Sequence, residues 1–216
     1  MTEKSLRRYT SLPILLDILN RKSLTLLDPR FWDDKNDSYF LELYKKHLKL
    51  KSVLALCFAE AAESYHHWKI YSGSPSGVCI EFEKDILLNC IDGVKGFRAD
   101  KVKYKEIDRL KNDDLDIRQL PFIKRYAFKD ELEFRLIYES KLENIPSKDV
   151  PIYISGISRI IFNPWVPKSV YDSVKAVIEK IDGCNTITII QTSLIENNQW
   201  KKIGENKLST LRPGLT

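Results

Sequence analysis

Glu131-Leu132-Glu133-Phe134-Arg135-Leu136-Ile137-Tyr138 is the stretch that decides the fold class of this chain. Its polar and apolar residues alternate, which predicts a half-buried β-strand. Glu131, Glu133 and Arg135 would then share one face. Two carboxylates and a guanidinium side by side could form a functional site, but such a row is about as often a solvated ion pair that contributes little stability. The opposite face, against the core, would consist of Leu132, Phe134, Leu136 and Tyr138.

Residues 78–83 show the same alternation. Val78, Ile80 and Phe82 are apolar, and Glu81 and Glu83 lie between and after them. Two acidic strand faces in one chain are less ordinary than one and favour a shared site. Glu81 is therefore a candidate binding residue.

The order of patterned segments predicts an α+β fold with a central mixed sheet flanked by helices. The fully apolar segment 53–59 is typical of a central strand covered on both sides. Residues 84–128 are the least readable, and the segment with Pro146 and Pro151 reads as a linker. We predict a single domain over residues 1–216. Strands are predicted at residues 7–10, 23–27, 53–59, 77–83, 101–105, 131–138, 159–162 and 186–191, and helices at 12–21, 39–50, 65–71 and 168–181.

Composition bounds the class of protein. The 216 residues are 43% hydrophobic and 30% charged, as in ordinary globular domains. No apolar run approaches the roughly 20 residues of a membrane-spanning helix, and the polar, basic start does not resemble a signal peptide. We therefore expect a soluble, cytoplasmic protein that does not bind membranes.

Charge and cysteine usage give weaker constraints. The net charge of +5 permits weak attraction to nucleic acid, but no recognised nucleic-acid motif accompanies the basic clusters. The four cysteines are too widely spaced for a zinc site and are expected to be free thiols. Cys57 and Cys79 fall in predicted strands and should be small core residues.

Three further segments offer candidate chemistry. In Tyr65-His66-His67-Trp68, His67 is a candidate acid or base, although adjacent histidines are more often surface or packing residues. The acidic run 33–37 could hold a cation, but Asx turns are the commoner role of such a run, and we predict no metal. Lys124 and Arg125 could bind an anion or be a surface pair. Glycine-rich nucleotide motifs and a nucleophile elbow do not occur.

Taken in order, these landmarks resemble a bacterial family known as domain of unknown function, family 2971. That family typically has Trp-x-His-Tyr before a Gly-Val-Cys strand, whereas this chain has His66-His67-Trp68 and then Tyr71-Ser72. The matching segments are Arg8-Tyr9-Thr10-Ser11, residues 26–37, Leu56-Cys57-Phe58, Tyr65-His66-His67-Trp68, residues 76–82, 122–125, 131–135 and 160–164.

The opening strand, helix and second strand are also similar to the start of the ADP-ribosyltransferase fold. That resemblance implies NAD as the substrate, with Arg8 holding NAD, Tyr71 or Ser72 supporting the nicotinamide ribose, and Glu133 orienting the acceptor. A carboxylate there would stabilise an oxocarbenium-like transition state. From the strand faces, the aromatic segment and this resemblance together, we predict Glu133, Glu131, Arg135 and His67 as catalytic residues, with Arg135 orienting Glu133. The predicted NAD contacts are Arg8, Tyr9, Thr10, Tyr65, Trp68, Tyr71, Ser72 and Glu81.

Three functions remain open from the sequence. The first is an NAD-dependent ADP-ribosyltransferase or NAD-cleaving enzyme, acting as a toxin or antiphage effector on an unidentified acceptor. The second is a non-catalytic sensor module that binds a small ligand or a partner protein. The third is a nucleic-acid hydrolase, supported only by positive charge and acidic strand faces.

Overall fold

The computed structural model describes residues 4–72 and 76–210, with side chains as far as residue 208. Within these ranges, the strands are β1 (Ser5–Ser11), β2 (Ser23–Leu27), β3 (Ser52–Ala59), β4 (Gly77–Glu83), β5 (Phe97–Lys101), β6 (Lys103–Lys105), β7 (Ile123–Arg125), β8 (Glu133–Ser140), β9 (Ser147–Pro151), β10 (Ile157–Phe162) and β11 (Thr188–Gln191). The helices are α1 (Leu12–Arg21), α2 (Lys35–His47), α3 (Tyr65–Tyr71), α4 (Lys84–Asn89), α5 (Ile107–Asn112), α6 (Lys168–Ile178) and α7 (Asn198–Thr210).

The predicted α+β domain with a central mixed sheet is confirmed. Among the described residues, nine strands form one sheet with the order β11-β10-β4-β1-β3-β2-β9, and β8 and β5 extend from β3. Only β10 and β11 pair in parallel within this sheet. A separate pair, β6 and β7, is also parallel.

Strand β3 is where the sheet divides. On one edge it pairs with β8 along its whole length, from Ser52 opposite Ser140 to Ala59 opposite Glu133. On the other edge it meets β1 only at Ala59 and β2 only at Ala55. Two strands therefore lie along this edge, β1 at Ala59 and β2 at Ala55. Between these two positions neither strand pairs with β3. The middle of β3 is left open to a cavity.

Both faces of the sheet are covered, which explains why residues 53–59 are apolar at every position. On one face α1, α4 and α6 pack on Leu54, Leu56 and Phe58 and their neighbours. On the other face α2 packs Leu41 and Tyr44 against Val53 and Ala55. This burial of apolar surface is the main force that holds the strands around the opening.

The strand predicted at residues 131–138 is β8, and it begins two residues later than predicted, at Glu133. Glu131 ends a 3-10 helix, and Leu132 adopts a left-handed conformation with φ of 41°. Leu132 is 50% exposed and is not a core residue, so this part of the prediction was wrong. Phe134, Leu136 and Tyr138 do lie in the core, as the alternation indicated.

Other boundaries also differ from the sequence predictions. Helix α2 begins within the acidic run, because Asp34 accepts hydrogen bonds from the backbone of Asn36 and Asp37 and so caps the helix. The predicted linker contains β9, which pairs with β2. The predicted strand 101–105 is divided between β5 and β6, and α7 was not predicted at all. No helix in the described ranges is both long enough and apolar enough to cross a bilayer.

We expect Gly77→Ala to destabilise the fold by about 1–3 kcal/mol, because an added Cβ would lie 2.2 Å from the Cβ of Ser72. The free energy of unfolding in urea measures the effect. Gly204→Ala is the matched control, since nothing lies within 4 Å of its added Cβ in helix α7. Equal stabilities of the two variants would contradict the packing at the start of β4.

Candidate functional site

A cavity of about 490 Å³ lies where the sheet divides. This volume is within the usual range for sites that bind small molecules. Side chains of both signs of charge face it, together with aromatic rings. It is lined by Arg7, Arg8, Tyr9, Thr25, Leu27, Phe31, Trp32, Asp33, Asp34, Asp37, residues 55–59, Ile70, Tyr71, Lys124, Phe128, Glu131 and Glu133.

The guanidinium of Arg135 is fully buried directly behind this cavity. Its two terminal nitrogens donate to both carboxylate oxygens of Asp37 at 2.9 and 2.6 Å, and its Nε donates to Glu133 Oε1 at 2.7 Å. The carbonyl of Pro121 accepts a further bond at 2.7 Å, and the ring of Trp32 lies 4.9 Å from the guanidinium carbon. Arg135 is therefore fixed in place, and it fixes one oxygen of Glu133.

Lys124 supplies the second cation of this cluster. Its Nζ lies 2.6 Å from Glu131 Oε2, 3.2 Å from Glu133 Oε2 and 3.8 Å from Asp37 Oδ2. Three carboxylates thus share two cations. When all five groups are ionised, one negative charge beside the cavity is left without a partner inside the cluster.

The two glutamates respond to this environment in opposite ways. Burial raises the pKa of Glu131, and the attraction of Lys124 offsets this only in part. Burial would also raise the pKa of Glu133, but Arg135 and Lys124 together lower it to about 2. Glu133 is therefore the carboxylate that remains ionised, and Glu131 is the one that takes up a proton more easily.

Two tyrosines border the carboxylates. Burial and the hydrogen bond to Glu131 raise the pKa of Tyr71, so its hydroxyl stays protonated and donates to that carboxylate. The hydroxyl of Tyr104 accepts the backbone N–H of Glu133 at 2.8 Å. The left-handed Leu132 between the glutamates lets both carboxylates reach Lys124 from the end of a 3-10 helix and the start of a strand.

Arg8 is the cation of the cavity that lacks an acidic partner. Its Nη1 donates to the carbonyl of Cys57 at 2.9 Å, and within residues 4–72 and 76–210 no carboxylate lies within ion-pair distance of it. Burial lowers its pKa. Its neighbour Arg7 instead pairs with Glu81 at 2.7 Å. A half-buried guanidinium without a counter-ion is suited to bind a phosphate or carboxylate.

The structure brings together some of the residues predicted from sequence. Arg8, Tyr9, Tyr71, Glu131 and Glu133 line the cavity, and Arg135 supports them from behind. The remaining predicted residues are not among those that line it. These are Thr10, Tyr65, His67, Trp68, Ser72 and Glu81.

His67 and Trp68 contribute packing in the part of the chain that is described. The imidazole of His67 is buried, with ring centroids 5.5 Å from Tyr9 and 5.9 Å from Tyr71, and burial lowers its pKa. Trp68 is buried at the edge of Tyr9, and its Nε1 donates to Glu63 at 2.6 Å. Both residues therefore support the wall of the cavity from outside.

The other four residues are engaged elsewhere. Tyr65 is exposed and contacts the ring of Trp165. Ser72 accepts a hydrogen bond from Asn163 at 2.9 Å, and Glu81 lies between Arg7 and Arg159. Thr10 is buried in β1, opposite Val78 of β4.

Sequence reasoning missed Asp37 as a site residue and left Lys124 ambiguous. Asp37 was considered only as part of an acidic run, and it meets Arg135 across 98 positions of the chain. No local pattern signals that contact. Cys57, expected to be a core residue, instead lines the cavity and hydrogen-bonds Glu133. Among the described side chains, no cluster of three or more histidines, cysteines, aspartates or glutamates could hold a metal ion.

Comparison with known proteins gives a distant structural likeness. No family model matches the sequence, and no curated protein matches it. DarT from Thermus sp. 2.9 in complex with NAD+ has a TM-score of 0.45 at 11% identity, covering 89% of this chain and 96% of that one. The same protein with ADP-ribosylated ssDNA gives 0.47 at 10%, covering 89% and 95%. At this TM-score and identity, the likeness says nothing about which ligand this chain binds.

We expect Glu133→Gln and Glu131→Gln to change the pH dependence of stability in opposite directions. The lowered pKa of Glu133 contributes stability that is present above pH 4.5 and is lost as pH falls towards about 2, on the order of 3 kcal/mol. The raised pKa of Glu131 contributes stability that is present below pH 4.5 and is lost as pH rises through the folded-state value.

Urea unfolding of both variants and the wild type across this pH range measures the difference. Glu133→Gln should flatten the acid limb of the stability curve, and Glu131→Gln should remove a loss at higher pH. The same slope in both variants would contradict the assignment of charge within the cluster.

Proposed function

We propose that this protein binds NAD in the cavity at the divided sheet and cleaves it, as an enzyme of the ADP-ribosyltransferase type. The observation that carries the proposal is the separation of charge in one cavity. The cluster of Asp37, Glu131 and Glu133 has one carboxylate more than it has cations, and an unpaired guanidinium lies at Arg8. NAD has matching charges, because its nicotinamide ring is cationic and its diphosphate is anionic.

The proposed reaction breaks the bond between nicotinamide and C1′ of its ribose. The bonding electron pair leaves with nicotinamide, which becomes neutral, and positive charge develops on the ribose as an oxocarbenium ion. Glu133, kept ionised by Arg135 and Lys124, can stabilise that charge. A nucleophile then bonds to C1′, and Glu131, whose pKa is raised, can accept its proton.

The chain would be one domain, residues 1–216, of the unknown-function family 2971. Its role would be that of a cytoplasmic toxin or antiphage effector. The nucleophile would be either water or a group on a macromolecular acceptor.

A non-catalytic sensor module is the second candidate. It is favoured by the fact that Arg135 and Lys124 already engage both oxygens of Glu133. A carboxylate held in this way can recognise a ligand without taking part in a reaction. The nucleic-acid hydrolase stays a prediction from the sequence.

We expect purified wild-type protein to release nicotinamide from NAD, and Glu133→Gln to lower that rate by about 100-fold or more because the oxocarbenium ion loses its carboxylate. Nicotinamide release and transfer of label from the adenylate part to macromolecules in a bacterial extract are measured together. Release without labelling would indicate hydrolysis, and labelling would indicate transfer.

Glu139→Gln is the matched control for this experiment. Glu139 is on the same strand and contacts Arg98 at 3.5 Å, but it does not line the cavity. It should leave the rate unchanged. Absence of nicotinamide release by folded wild-type protein, with NAD still bound, would favour the sensor module.

We expect Arg8→Met to weaken NAD binding by about 10- to 100-fold, because charge-assisted hydrogen bonds to the diphosphate would be lost. Isothermal titration calorimetry gives the dissociation constants. Arg159→Met is the control, since Arg159 pairs with Glu81 outside the cavity. Equal affinity in the two variants would exclude Arg8 as the diphosphate contact.

A further inference from the structure

A second cavity of about 540 Å³ adjoins the first. The two share the side chains of Leu27, Phe31 and Trp32 as a common wall. The full lining of the second cavity is Leu27, Asp28, Arg30, Phe31, Trp32, Lys45, Ser52, Asn144, Ile145 and Pro146.

The two cavities follow one another along strand β3. Ser52 lines the second cavity, and residues 55–59 line the first. Ala59, at the far end of the strand, is opposite Glu133. With a rise of about 3.3 Å per residue, Ser52 and Ala59 are about 23 Å apart. The Ser52 end of the second cavity therefore lies well away from Glu133, whereas the shared wall at Trp32 adjoins the first cavity.

The walls of the second cavity suit a flat apolar group. Leu27, Phe31, Ile145 and Pro146 supply apolar surface. The ring of Phe31 is 83% exposed, and the guanidinium of Arg30 lies 6.0 Å from its centre. An exposed ring at the mouth of an apolar slot is a surface on which a heterocyclic base can stack.

Lys45 adds positive charge to the same wall. It is half-buried, and no carboxylate of the described chain lies within ion-pair distance of its Nζ. The neighbouring Arg30 is paired with Asp28 at 2.8 Å. The charge of Lys45 also acts on Asp28, so the slot combines a stacking surface with two cations, Arg30 and Lys45, that share one carboxylate.

We propose that this second cavity holds the purine end of the dinucleotide whose nicotinamide end lies beside Glu133, an assignment that rests on the proposed function. One ligand then spans both cavities along β3, with its diphosphate between them. An acceptor nucleophile must instead reach the ribose carbon next to Glu133, and the slot at Ser52 is at the opposite end of the strand. The distance between the second cavity and the reacting carbon therefore favours the adenosine half of NAD, and not the acceptor, as the occupant of this cavity.

Phe31→Ala tests this assignment, and the exposure of the ring means that the fold does not depend on it. Binding of NAD is compared with binding of nicotinamide mononucleotide, which lacks the adenosine half. Because Phe31 lines both cavities, we expect Phe31→Ala to weaken NAD binding by about tenfold through loss of stacking and to weaken binding of the mononucleotide by a clearly smaller factor. Phe31→Tyr should retain the wild-type affinity. Trp200→Ala, which removes an exposed ring from α7, is the control.

The outcomes separate this inference from the proposed function. Failure of the wild type to bind NAD would overturn both. If the wild type binds NAD, equal effects of Phe31→Ala on the two ligands, or no effect on either, would overturn the purine site alone. Unchanged NAD binding with reduced labelling of macromolecules would also overturn it, because the slot would then contact the acceptor.

Discussion

The buried ion pair between Arg135 and Asp37 is the interaction on which the rest of the site depends. It joins β8 to the first turn of α2, and neither side chain has appreciable exposure. Removing one partner of such a pair typically costs about 3–5 kcal/mol, because the other charge is left buried and unpaired. A well-packed apolar pair would often serve stability equally well. The specific contribution of this pair is therefore geometric, since it holds Glu133 at the wall of the cavity.

The divided sheet gives this charge cluster access to a ligand. Had β1 or β2 paired along all of β3, the edge that now faces the cavity would be closed by backbone hydrogen bonds. Instead each strand meets β3 at one position, and Arg8 donates to the carbonyl of Cys57 in the space between. The same topology that opens the sheet thus brings an unpaired cation and an excess of carboxylates to one cavity.

Period-two alternation predicted Phe134, Leu136 and Tyr138 as core residues, and it predicted the shared face of Glu133 and Arg135. These features are local, so the sequence could reveal them. The contact of Arg135 with Asp37 spans 98 positions and follows from the packing of α2, which no short pattern encodes. His67 was chosen for its chemistry, but the side of the sheet on which α3 packs decides its place behind Tyr9.

The backbone conformation of Leu132 limits how this position can change during evolution. A leucine at φ of 41° is strained, and glycine would adopt that conformation at little cost. Most proteins can gain stability by relieving such strain, but here the strained residue sets the spacing of two carboxylates around one ammonium group. A variant with a relaxed backbone at residue 132 would be more stable, but its two glutamates would be held in a less defined arrangement. The stability of the protein and the precision of the site therefore oppose each other at this one residue.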